Sequence, residues 1–418
     1  MKIVVLSTSE STGGAAIAAN RLMKALIANG VETKTLVLSK QTDDENVVSI
    51  SSSFIKRQFI RLNFLWERWI IFIHNRFTRK NLFKVSIANT GFDVSRHPLV
   101  KDADIIHIHW INQGFLSLKG IRKLLQSGKP VVWTMHDMWV CTAICHYSWT
   151  CERYTDRCGN CPFLNSTKEN DLSHIVLQKK RFLAGSNIQL VAVSTWLKEL
   201  AEKSILTKSL NISVIPNAID TSVFFPSNKK TARDKFSFPE DKKIILMGAA
   251  KLNDPIKGFD YLRQALTLLK EKREDILLVL FGRIKACDSF LSNLDAEFVY
   301  MDLIENVSVI AQLYAAADVT VVPSNYETFG QTLTESMACG CPVVSFDNSG
   351  QTDIIDHKIN GYLAKYQDTE DLANGILWVL NNTEKLNFPE ACLKKVQNTY
   401  TKDRIAEQYI QLYKHLLH

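Results

Sequence analysis

Short apolar runs alternate with amphipathic helical segments along this chain, and the alternation occurs twice. In the first half, strands are predicted at 3–6, 35–38, 105–108, 131–134 and 190–193, and helices at 15–29, 116–126 and 196–203. In the second half, strands are predicted at 243–248, 277–281, 319–322 and 343–346, and helices near 258–272, 308–316 and 331–339. Apolar strands joined by helices indicate parallel sheets wound by crossover helices. The sequence therefore predicts an α/β protein with two Rossmann-like domains.

The length supports the same division, because 418 residues exceed what one ordinary hydrophobic core holds. We predict an N-terminal domain over 1–222, which includes a cysteine-rich loop at 141–162 and the final helix at 400–418. A C-terminal domain is predicted over 223–399, with linker segments at 214–220 and 226–233. The composition, 46% apolar and 22% charged, is that of a globular protein.

The ends, the charge and the cysteines bound the class of protein. The first residues predict a strand rather than a signal peptide. The sequence contains no run of roughly eighteen apolar residues, so no membrane span is predicted. Nine cysteines without a secretion signal favour a reducing compartment, so a cytoplasmic location is expected. The net charge of +7 suits an anionic nucleotide or a membrane surface, and is too small to indicate nucleic acid.

The stretch 324–335 carries the strongest functional pattern, because it follows a predicted buried strand and leads into a helix. Open α/β sheets bind ligands at the carboxyl ends of their strands. Gly330 lets an anion approach the backbone, and the helix start directs N–H groups at it. Glu327 and Glu335 flank this point, and carboxylates suit sugar hydroxyls rather than phosphate.

Glu327 and Glu335 are separated by seven residues that include Phe329 and Gly330, and they resemble the E-x7-E motif of retaining glycosyltransferases of the GT-B fold, family 4. The resemblance implies that Glu327 contacts the donor sugar and Glu335 the ribose of the nucleotide. It places Phe329, Gly330 and Gln331 at the donor. It also implies that two Rossmann-like domains face each other across a cleft and that the last helix returns to the first domain.

Lys257 and Gly258 match the family's G-R-x5-K-G segment, whose cations hold the diphosphate. Lys251 stands where many members carry arginine. Fixed cations directed at a departing nucleotide diphosphate stabilise the transition state. Gly282 and Arg283 end another predicted strand and are expected to border the nucleotide.

Two features of the first half point to the same ligand. Gly13 and Gly14 precede a predicted helix and let its backbone approach a phosphate or sugar; the pattern is not G-x-G-x-x-G, so a dinucleotide is not supported. His136 follows a predicted strand directly, and the resemblance implies that it hydrogen-bonds the donor sugar. His107 and His109 alternate along one strand; we expect His109 to line the site and His107 to be packed.

Asp102-Ala-Asp104 has the spelling of a metal-holding Asp-x-Asp, but it lies in a polar turn before a strand. We therefore interpret it as turn chemistry. The implied transfer needs no catalytic metal.

Five of the nine cysteines fall within 141–161. Cys158-x2-Cys161 has zinc-knuckle spacing, and Cys145 and Cys151 could complete a tetrahedral sulfur set for a structural zinc. Reduced thiols and disulfides are the alternatives. A subgroup of family 4, common in surface-polysaccharide synthesis, carries a similar insertion.

The segment 54–84 contains eight basic residues and one acidic residue, interleaved with aromatic and aliphatic side chains. On a helix this pattern suits an anionic bilayer interface. A helix pair packed on the first domain, with its polar face in water, is a compatible alternative. A peripheral location on the inner face of the plasma membrane is therefore expected.

The resemblance as a whole implies a retaining, metal-independent glycosyltransferase, with Glu327, His136 and Lys257 as its catalytic residues. It would move a sugar from a nucleotide-diphosphate sugar to a glycan or lipid-linked acceptor, in the assembly of capsule, exopolysaccharide or lipopolysaccharide. The alternatives are a non-catalytic GT-B scaffold that recruits partners and a GT-B sugar-nucleotide epimerase or phosphorylase.

Overall fold

The computed structural model describes residues 1–50, 53–284, 290–292 and 294–418. These residues form two compact units. The first comprises Met1–Pro216 and Ile405–His418, and the second comprises Asn217–Arg404.

The first unit is built on a seven-stranded parallel sheet. Its strands are β1 (Lys2–Ser9), β2 (Glu32–Ser39), β3 (Val47–Ser49), β4 (Ile105–Ile108), β5 (Val131–Met135), β6 (Gln189–Ala192) and β7 (Asn211–Val214). Its helices include α1 (Gly14–Ala28), α2 (Phe54–His74), α3 (Pro98–Asp102), α4 (Leu118–Leu125), α5 (Leu172–Lys180) and α6 (Thr195–Lys203). The strand order is β3-β2-β1-β4-β5-β6-β7.

The second unit repeats the plan with a six-stranded parallel sheet. Its strands are β8 (Lys243–Lys251), β9 (Ile276–Arg283), β10 (Glu297–Met301), β11 (Val319–Val322), β12 (Val343–Phe346) and β13 (Gly361–Ala364). Its helices include α7 (Lys229–Lys235), α8 (Phe259–Lys270), α9 (Val307–Ala316), α10 (Gln331–Ala338), α11 (Thr369–Asn382) and α12 (Phe388–Thr399). The strand order is β10-β9-β8-β11-β12-β13.

Both strand orders reverse direction once, between β1 and β4 in the first sheet and between β8 and β11 in the second. At such a switch point the crossover connections leave to opposite sides, so a crevice remains at the carboxyl ends of the two strands. The predicted α/β class with two Rossmann-like units is confirmed.

The central strands are buried along their length, as both faces of a parallel sheet are covered. The interior residues of β1 and all but the last residue of β9 are buried. Helix α8 covers the second sheet with Phe259, Leu262, Leu266 and Leu269, which recur every three or four residues and so share one face.

The last helix, α13 (Lys402–Leu417), lies mainly in the first unit, which includes Ile405–His418. Its buried residues Ile405, Tyr409 and Tyr413 recur at the predicted four-residue spacing. The Tyr409 hydroxyl lies 2.8 Å from Thr134 Oγ1, next to the end of β5. The helix is therefore part of the core of the first unit.

Four strands that the sequence analysis did not predict are β3, β7, β10 and β13, which are the four sheet edges. Edge strands are covered on fewer sides, so they lack a continuous apolar run; β7 and β10 contain no fully buried residue. The predicted linker segments are wrong in part, because residue 214 ends β7 and residues 229–235 form α7.

Asp102 and Asp104 lie at the end of α3 and just before β4, as the turn interpretation required. Asp104 Oδ2 accepts a hydrogen bond of 2.7 Å from the Lys2 N–H, and Asp102 pairs with the Lys2 ammonium at 2.9 Å. Both carboxylates therefore fasten the start of β1.

The second unit contains one deeply buried charge cluster around Asp318. Its carboxylate lies 2.7 Å from Arg233 Nη2 and 2.8 Å from Lys229 Nζ, and it accepts the Ile244 N–H at 2.6 Å. The Arg233 Nε donates to the Ala316 carbonyl at 3.1 Å. These contacts join α7 to the start of β8.

We predict that Asp318→Ala destabilises the second unit by roughly 3–5 kcal/mol, because it leaves the Arg233 guanidinium buried without its anion. Denaturant unfolding of the full chain, with hydrogen exchange of peptides spanning 229–251, measures the loss. Glu240→Ala is the control, since Glu240 pairs with Lys230 at the exposed surface; it should change neither measurement. Equal behaviour of the two variants would contradict the prediction.

Candidate active site

Three helices begin at the two switch points, and all three begin with an uncapped glycine. They are α1 after Gly13, α8 after Gly258 and α10 after Gly330, whose φ angles are +92°, +69° and +98°. Every other helix from α2 to α12 in the described ranges is capped by a side chain. Uncapped first-turn N–H groups attract anions. The chain therefore leaves these three helix starts open to a ligand.

In the second unit, the loop after β11 packs directly on the turn before α8. The Asn325 N–H donates to the Ile256 carbonyl at 2.8 Å, and Asn325 Nδ2 donates to the Pro255 carbonyl at 3.0 Å. A Cβ at Gly258 would lie 1.8 Å from the Pro323 carbonyl oxygen, so only glycine permits this approach. The contact places Lys257 beside Glu327.

Lys257 Nζ and Glu327 Oε2 form an ion pair at 2.8 Å. The two side chains are 32% and 18% exposed, so both charges can be reached from solvent. Two residues predicted to be catalytic thus meet in one crevice of the second unit.

The backbone of Glu327 is fixed by the segment that follows β12. The Glu327 N–H donates to Ser349 Oγ at 3.1 Å, and the Gly350 N–H donates to the Glu327 carbonyl at 2.8 Å. The sequence analysis missed this role of Ser349 and Gly350. Only the order of the strands reveals this role. Strand β12 lies next to β11, and neighbouring parallel strands bring the loops at their carboxyl ends together.

The residues predicted around Gly330 differ in their surroundings. Gln331 starts α10, and Glu335 lies one turn inside it, where its Oε2 accepts the Tyr314 hydroxyl at 3.4 Å. The Phe329 ring is 3% exposed and packs edge-to-face on Tyr400, with 5.6 Å between ring centroids. Phe329 therefore offers a ligand only its backbone, while its ring stabilises the loop.

Lys251 and Arg283 end β8 and β9 and are register partners after a bulge in β8. Both side chains are exposed, and Gly282 precedes Arg283 in β9. Two cations therefore lie side by side at the carboxyl edge of the second sheet. The turn that carries Lys257 follows β8 in the chain, so Lys257 lies at the same edge of the sheet as Lys251.

In the first unit, Gly13 ends the loop that follows β1, and Gly14 is the first residue of α1. The Glu10 carboxylate fixes that loop by accepting the N–H groups of Gln41 and Thr42, at 2.5 Å and 3.0 Å. The glycine pair is thus presented at the switch point beside β4.

His136 and His109 follow β5 and β4 and meet at the same edge. Their Nε2 and Nδ1 atoms are 2.8 Å apart, and the rings stack with centroids 5.1 Å apart. His109 is buried and His136 is partly exposed. Of the two, His136 is the imidazole that a ligand can reach.

Behind this pair, His107 is held by the final helix. Its Nδ1 lies 2.7 Å from the Tyr413 hydroxyl, and its Nε2 lies 2.8 Å from Thr134 Oγ1, which also contacts Tyr409. His107 is completely buried, as expected. A polar network therefore runs from α13 to β5, the strand that precedes His136.

Burial keeps these imidazoles neutral. Desolvation lowers the pKa of His107 to about 3 and that of His136 to about 4, and it lowers the pKa of His109 well below its ordinary value. A neutral His136 has one ring nitrogen that donates and one that accepts. It can thus hydrogen-bond a sugar without bringing a positive charge.

Asp137 anchors the turn after β5. Its Oδ2 accepts from Trp110 Nε1 at 2.9 Å and from His146 Nδ1 at 2.6 Å, and its Oδ1 accepts the Trp139 N–H at 2.8 Å. Burial raises the pKa of Asp137, but the charge and hydrogen bond of His146 outweigh it and the pKa is lowered. His146 is thus engaged by Asp137 and by Ser86, 3.1 Å from its other ring nitrogen.

The four cysteines predicted as zinc ligands, Cys145, Cys151, Cys158 and Cys161, line one small cavity of about 20 Å³. The fifth cysteine of the loop, Cys141, is directed elsewhere, since its thiol lies 3.2 Å from the Met138 carbonyl. The loop thus separates a set of four thiols from the fifth.

Two family models match the chain in succession. Glycosyltransferase Family 4 matches residues 12–223, and Glycosyl transferases group 1 matches residues 228–396. The chain belongs to glycosyltransferase family 4. It is therefore a glycosyltransferase of the GT-B type, and the two matches fall on the two units of the fold.

Individual relatives are distant. An uncharacterised glycosyltransferase of Methanocaldococcus jannaschii is 26% identical over 80% of this chain and 90% of its own length. A D-inositol 3-phosphate glycosyltransferase of Thermobispora bispora is 27% identical over 42% of this chain, and the match spans 44% of that relative.

Solved structures share the whole fold. Sucrose-phosphate synthase of Thermosynechococcus elongatus matches with a TM-score of 0.70 at 22% identity, over 99% of this chain and 98% of that one. Anabaena HepE in complex with UDP-glucose matches with a TM-score of 0.66 at 16% identity, over 99% and 100% of the two chains. WaaG, a glycosyltransferase involved in lipopolysaccharide biosynthesis, matches with a TM-score of 0.64 at 15% identity, over 98% and 99%. These likenesses show the GT-B fold.

We predict that the free energy of unfolding falls as the pH drops below about 6.5. In this range the histidines bind protons in the unfolded chain but stay neutral in the folded protein, so acid favours unfolding. Since the folded pKa of His136 is about 4, its contribution declines from about pH 6.5 down to about 4. Denaturant midpoints at several pH values in this window measure the slope. His136→Asn should make the slope shallower; a wild-type midpoint that does not fall with pH would refute the prediction.

Proposed function

We propose that this glycosyltransferase moves a sugar from a nucleotide-diphosphate sugar to a glycan or lipid-linked acceptor with retention of anomeric configuration and without a catalytic metal. The observation that best supports this proposal is the ion pair between Lys257 Nζ and Glu327 Oε2, which are 2.8 Å apart. The pair lies beside the start of α10 at Gly330, which no side chain caps. The relatives named above that bind UDP-glucose or build lipopolysaccharide support the substrate class by analogy.

The residues of the second unit divide the donor between them. Lys257 stabilises the negative charge that develops on the departing diphosphate, together with the first-turn N–H groups of α10. Lys251 and Arg283 supply further positive charge at the same sheet edge. With its cation engaged by phosphate, Glu327 accepts hydrogen bonds from the sugar hydroxyls, and Glu335 accepts them from the ribose.

His136 is proposed to hydrogen-bond a sugar at the carboxyl edge of the first sheet. Its low pKa fits a positioning role, since a neutral imidazole does not oppose the positive charge that builds up at the reacting carbon. Gly13 and Gly14 are proposed to lie against the donor and acceptor.

We predict that Lys257→Ala and Glu327→Ala each lower kcat/KM for the accepted nucleotide sugar by about a hundred- to thousand-fold, as expected for loss of a preorganised charge at the transition state. A thermal-shift panel of nucleotide sugars selects the donor, and chromatography of the released nucleotide measures the rate. Lys395→Ala is the matched control, because Lys395 pairs with Asp356 at 2.8 Å in the same unit. It should retain wild-type activity.

The products separate the alternatives. NMR of the product should show the anomeric configuration of the donor. Inversion, an epimerised nucleotide sugar, or a sugar phosphate would each replace the proposed reaction by another. No turnover with any donor, in a chain that binds none of them, would favour the scaffold.

We further propose that α2 lies on an anionic bilayer, where a lipid-linked acceptor would reside. Along this helix, Ile55, Phe59, Leu62, Trp66 and Trp69 recur at three- and four-residue spacing, and each is more than half exposed. They form one apolar stripe on the side of the helix away from the protein. Within the described ranges, no helix combines the length and apolarity needed to cross a bilayer.

The opposite side of α2 is fastened to the first unit. Glu67 Oε1 accepts the N–H groups of Ile87 and Ala88 at 2.7 Å and 2.9 Å, and the Arg68 guanidinium donates to the Val85 carbonyl at 2.9 Å. The charge excess of the segment 54–84 equals that of the whole chain. Basic residues beside an apolar stripe favour anionic lipid headgroups.

We predict that the purified chain floats with vesicles containing phosphatidylglycerol and not with pure phosphatidylcholine. Replacing Trp66 and Trp69 together by serine should reduce the bound fraction about tenfold or more, because burial of each aromatic ring contributes roughly 1.5–3 kcal/mol. Ile359→Ser, at an exposed apolar residue of the second unit, is the control. Wild-type protein that stays with the unbound fraction at low salt would disprove membrane docking.

A further inference from the structure

The first part of the loop between β5 and α5 is deeply buried although it has little regular structure. Within 136–171 the only helical pieces are the short turns Arg153–Thr155 and Pro162–Leu164, yet residues 138–145 are all buried. A buried loop without a sheet or long helix gains little from backbone pairing. A covalent or metal crosslink would supply the missing constraint.

Four thiols converge in this loop. Cys145, Cys151, Cys158 and Cys161 line the same cavity of about 20 Å³, and all four are free cysteines. Within the described ranges, no three His, Cys, Asp or Glu side chains already stand in a metal-holding arrangement. Coordination therefore requires the four sulfur atoms to come closer together than they lie in this structure.

Hydrogen bonds already fix the backbone around the paired cysteines. The N–H groups of Leu164 and Ser166 both donate to the Cys161 carbonyl, at 3.1 Å each. The Cys161 N–H is itself fixed by Asp171, whose Oδ2 accepts it at 2.8 Å.

A buried cation lies beside the cavity. The Lys180 ammonium is completely buried and donates to the carbonyl oxygens of Trp139 and Thr142, and it lies 3.6 Å from the centroid of the Trp139 ring. These partners are all neutral. Burial lowers the pKa of Lys180 to about 7, although the neighbouring Cys141, Cys145, Asp137 and Cys158 oppose the shift. A buried ammonium is expensive unless an anion compensates it.

We propose that Cys145, Cys151, Cys158 and Cys161 bind one structural zinc ion as four thiolates, and that Lys180 offsets the resulting negative charge. On binding, the four thiols release their protons to solvent and the oxidation states do not change. A dication held by four thiolates carries net negative charge, which adds to the charge of Asp137 in offsetting the Lys180 ammonium. Four protein sulfurs leave no open position, so the ion crosslinks the loop and takes no part in the transfer.

The experiment uses the full-length chain, expressed with zinc in the medium and purified without chelator. Mass spectrometry of the metal content should give about one zinc per chain. The double variant Cys158→Ser/Cys161→Ser should lose it, while Cys141→Ser, in the same buried loop, should keep it. Removing zinc from wild-type protein with a chelator should lower the thermal midpoint, and adding zinc back should restore it; this arm does not depend on any variant folding.

A thiol count distinguishes the other states of the loop. With zinc bound, four thiols should resist an aqueous disulfide reagent until chelator is added. Wild-type protein with no zinc and with these thiols fully reactive would overturn the proposal. So would a mass that is lower by the hydrogens lost in two disulfides, or zinc that the Cys158/Cys161 double variant retains.

Lys180→Met tests the charge compensation separately. It should weaken zinc binding about 10–100-fold in competition with a chelator, the usual effect of removing an outer-shell partner. An unchanged affinity would remove Lys180 from the proposal.

Discussion

The constraint on which the molecule depends is the reversal of strand order in each parallel sheet. Once β1 is flanked by β2 and β4, and β8 by β9 and β11, the loops at their carboxyl ends must leave in opposite directions. Each crevice is therefore lined by helices that begin after a glycine and by the loop residues that follow the neighbouring strand. The helix is α1 in the first unit, and the helices are α8 and α10 in the second. The chain caps its other described helices from α2 to α12 with side chains, so these helix starts are where an anionic ligand meets N–H groups that no side chain caps.

The two units differ in the charge of the side chains at these crevices: the second unit presents cations and the first presents neutral histidines. The second unit collects Lys251, Lys257 and Arg283 at one sheet edge, where a diphosphate would need them. The first unit instead holds three imidazoles neutral, two of them fully buried and His136 partly exposed. The C-terminal helix contributes to that state, since Tyr413 and Tyr409 complete the polar network that His107 and Thr134 begin.

Local pattern was enough to predict the elements that are buried on every side. The predicted bounds of β4, β11 and β12 coincide with those observed, because a run such as Ile105–Ile108 fits only the interior of a sheet. The edge strands were missed because partial exposure removes that pattern. Ser349 and Gly350 were missed because their role depends on which strands are neighbours, and strand order is not written in any local segment.

The sequence by itself determined the α/β class, the two units, the family motif at Glu327 and Glu335, and the cysteine spacing, because each of these depends on residues close together in the chain. The tertiary structure decided which of them meet. It paired Lys257 with Glu327 across 70 positions, stacked His109 on His136, placed four thiols around one cavity and turned the Phe329 ring into the core. Such contacts follow from strand order and packing, which the whole chain sets together.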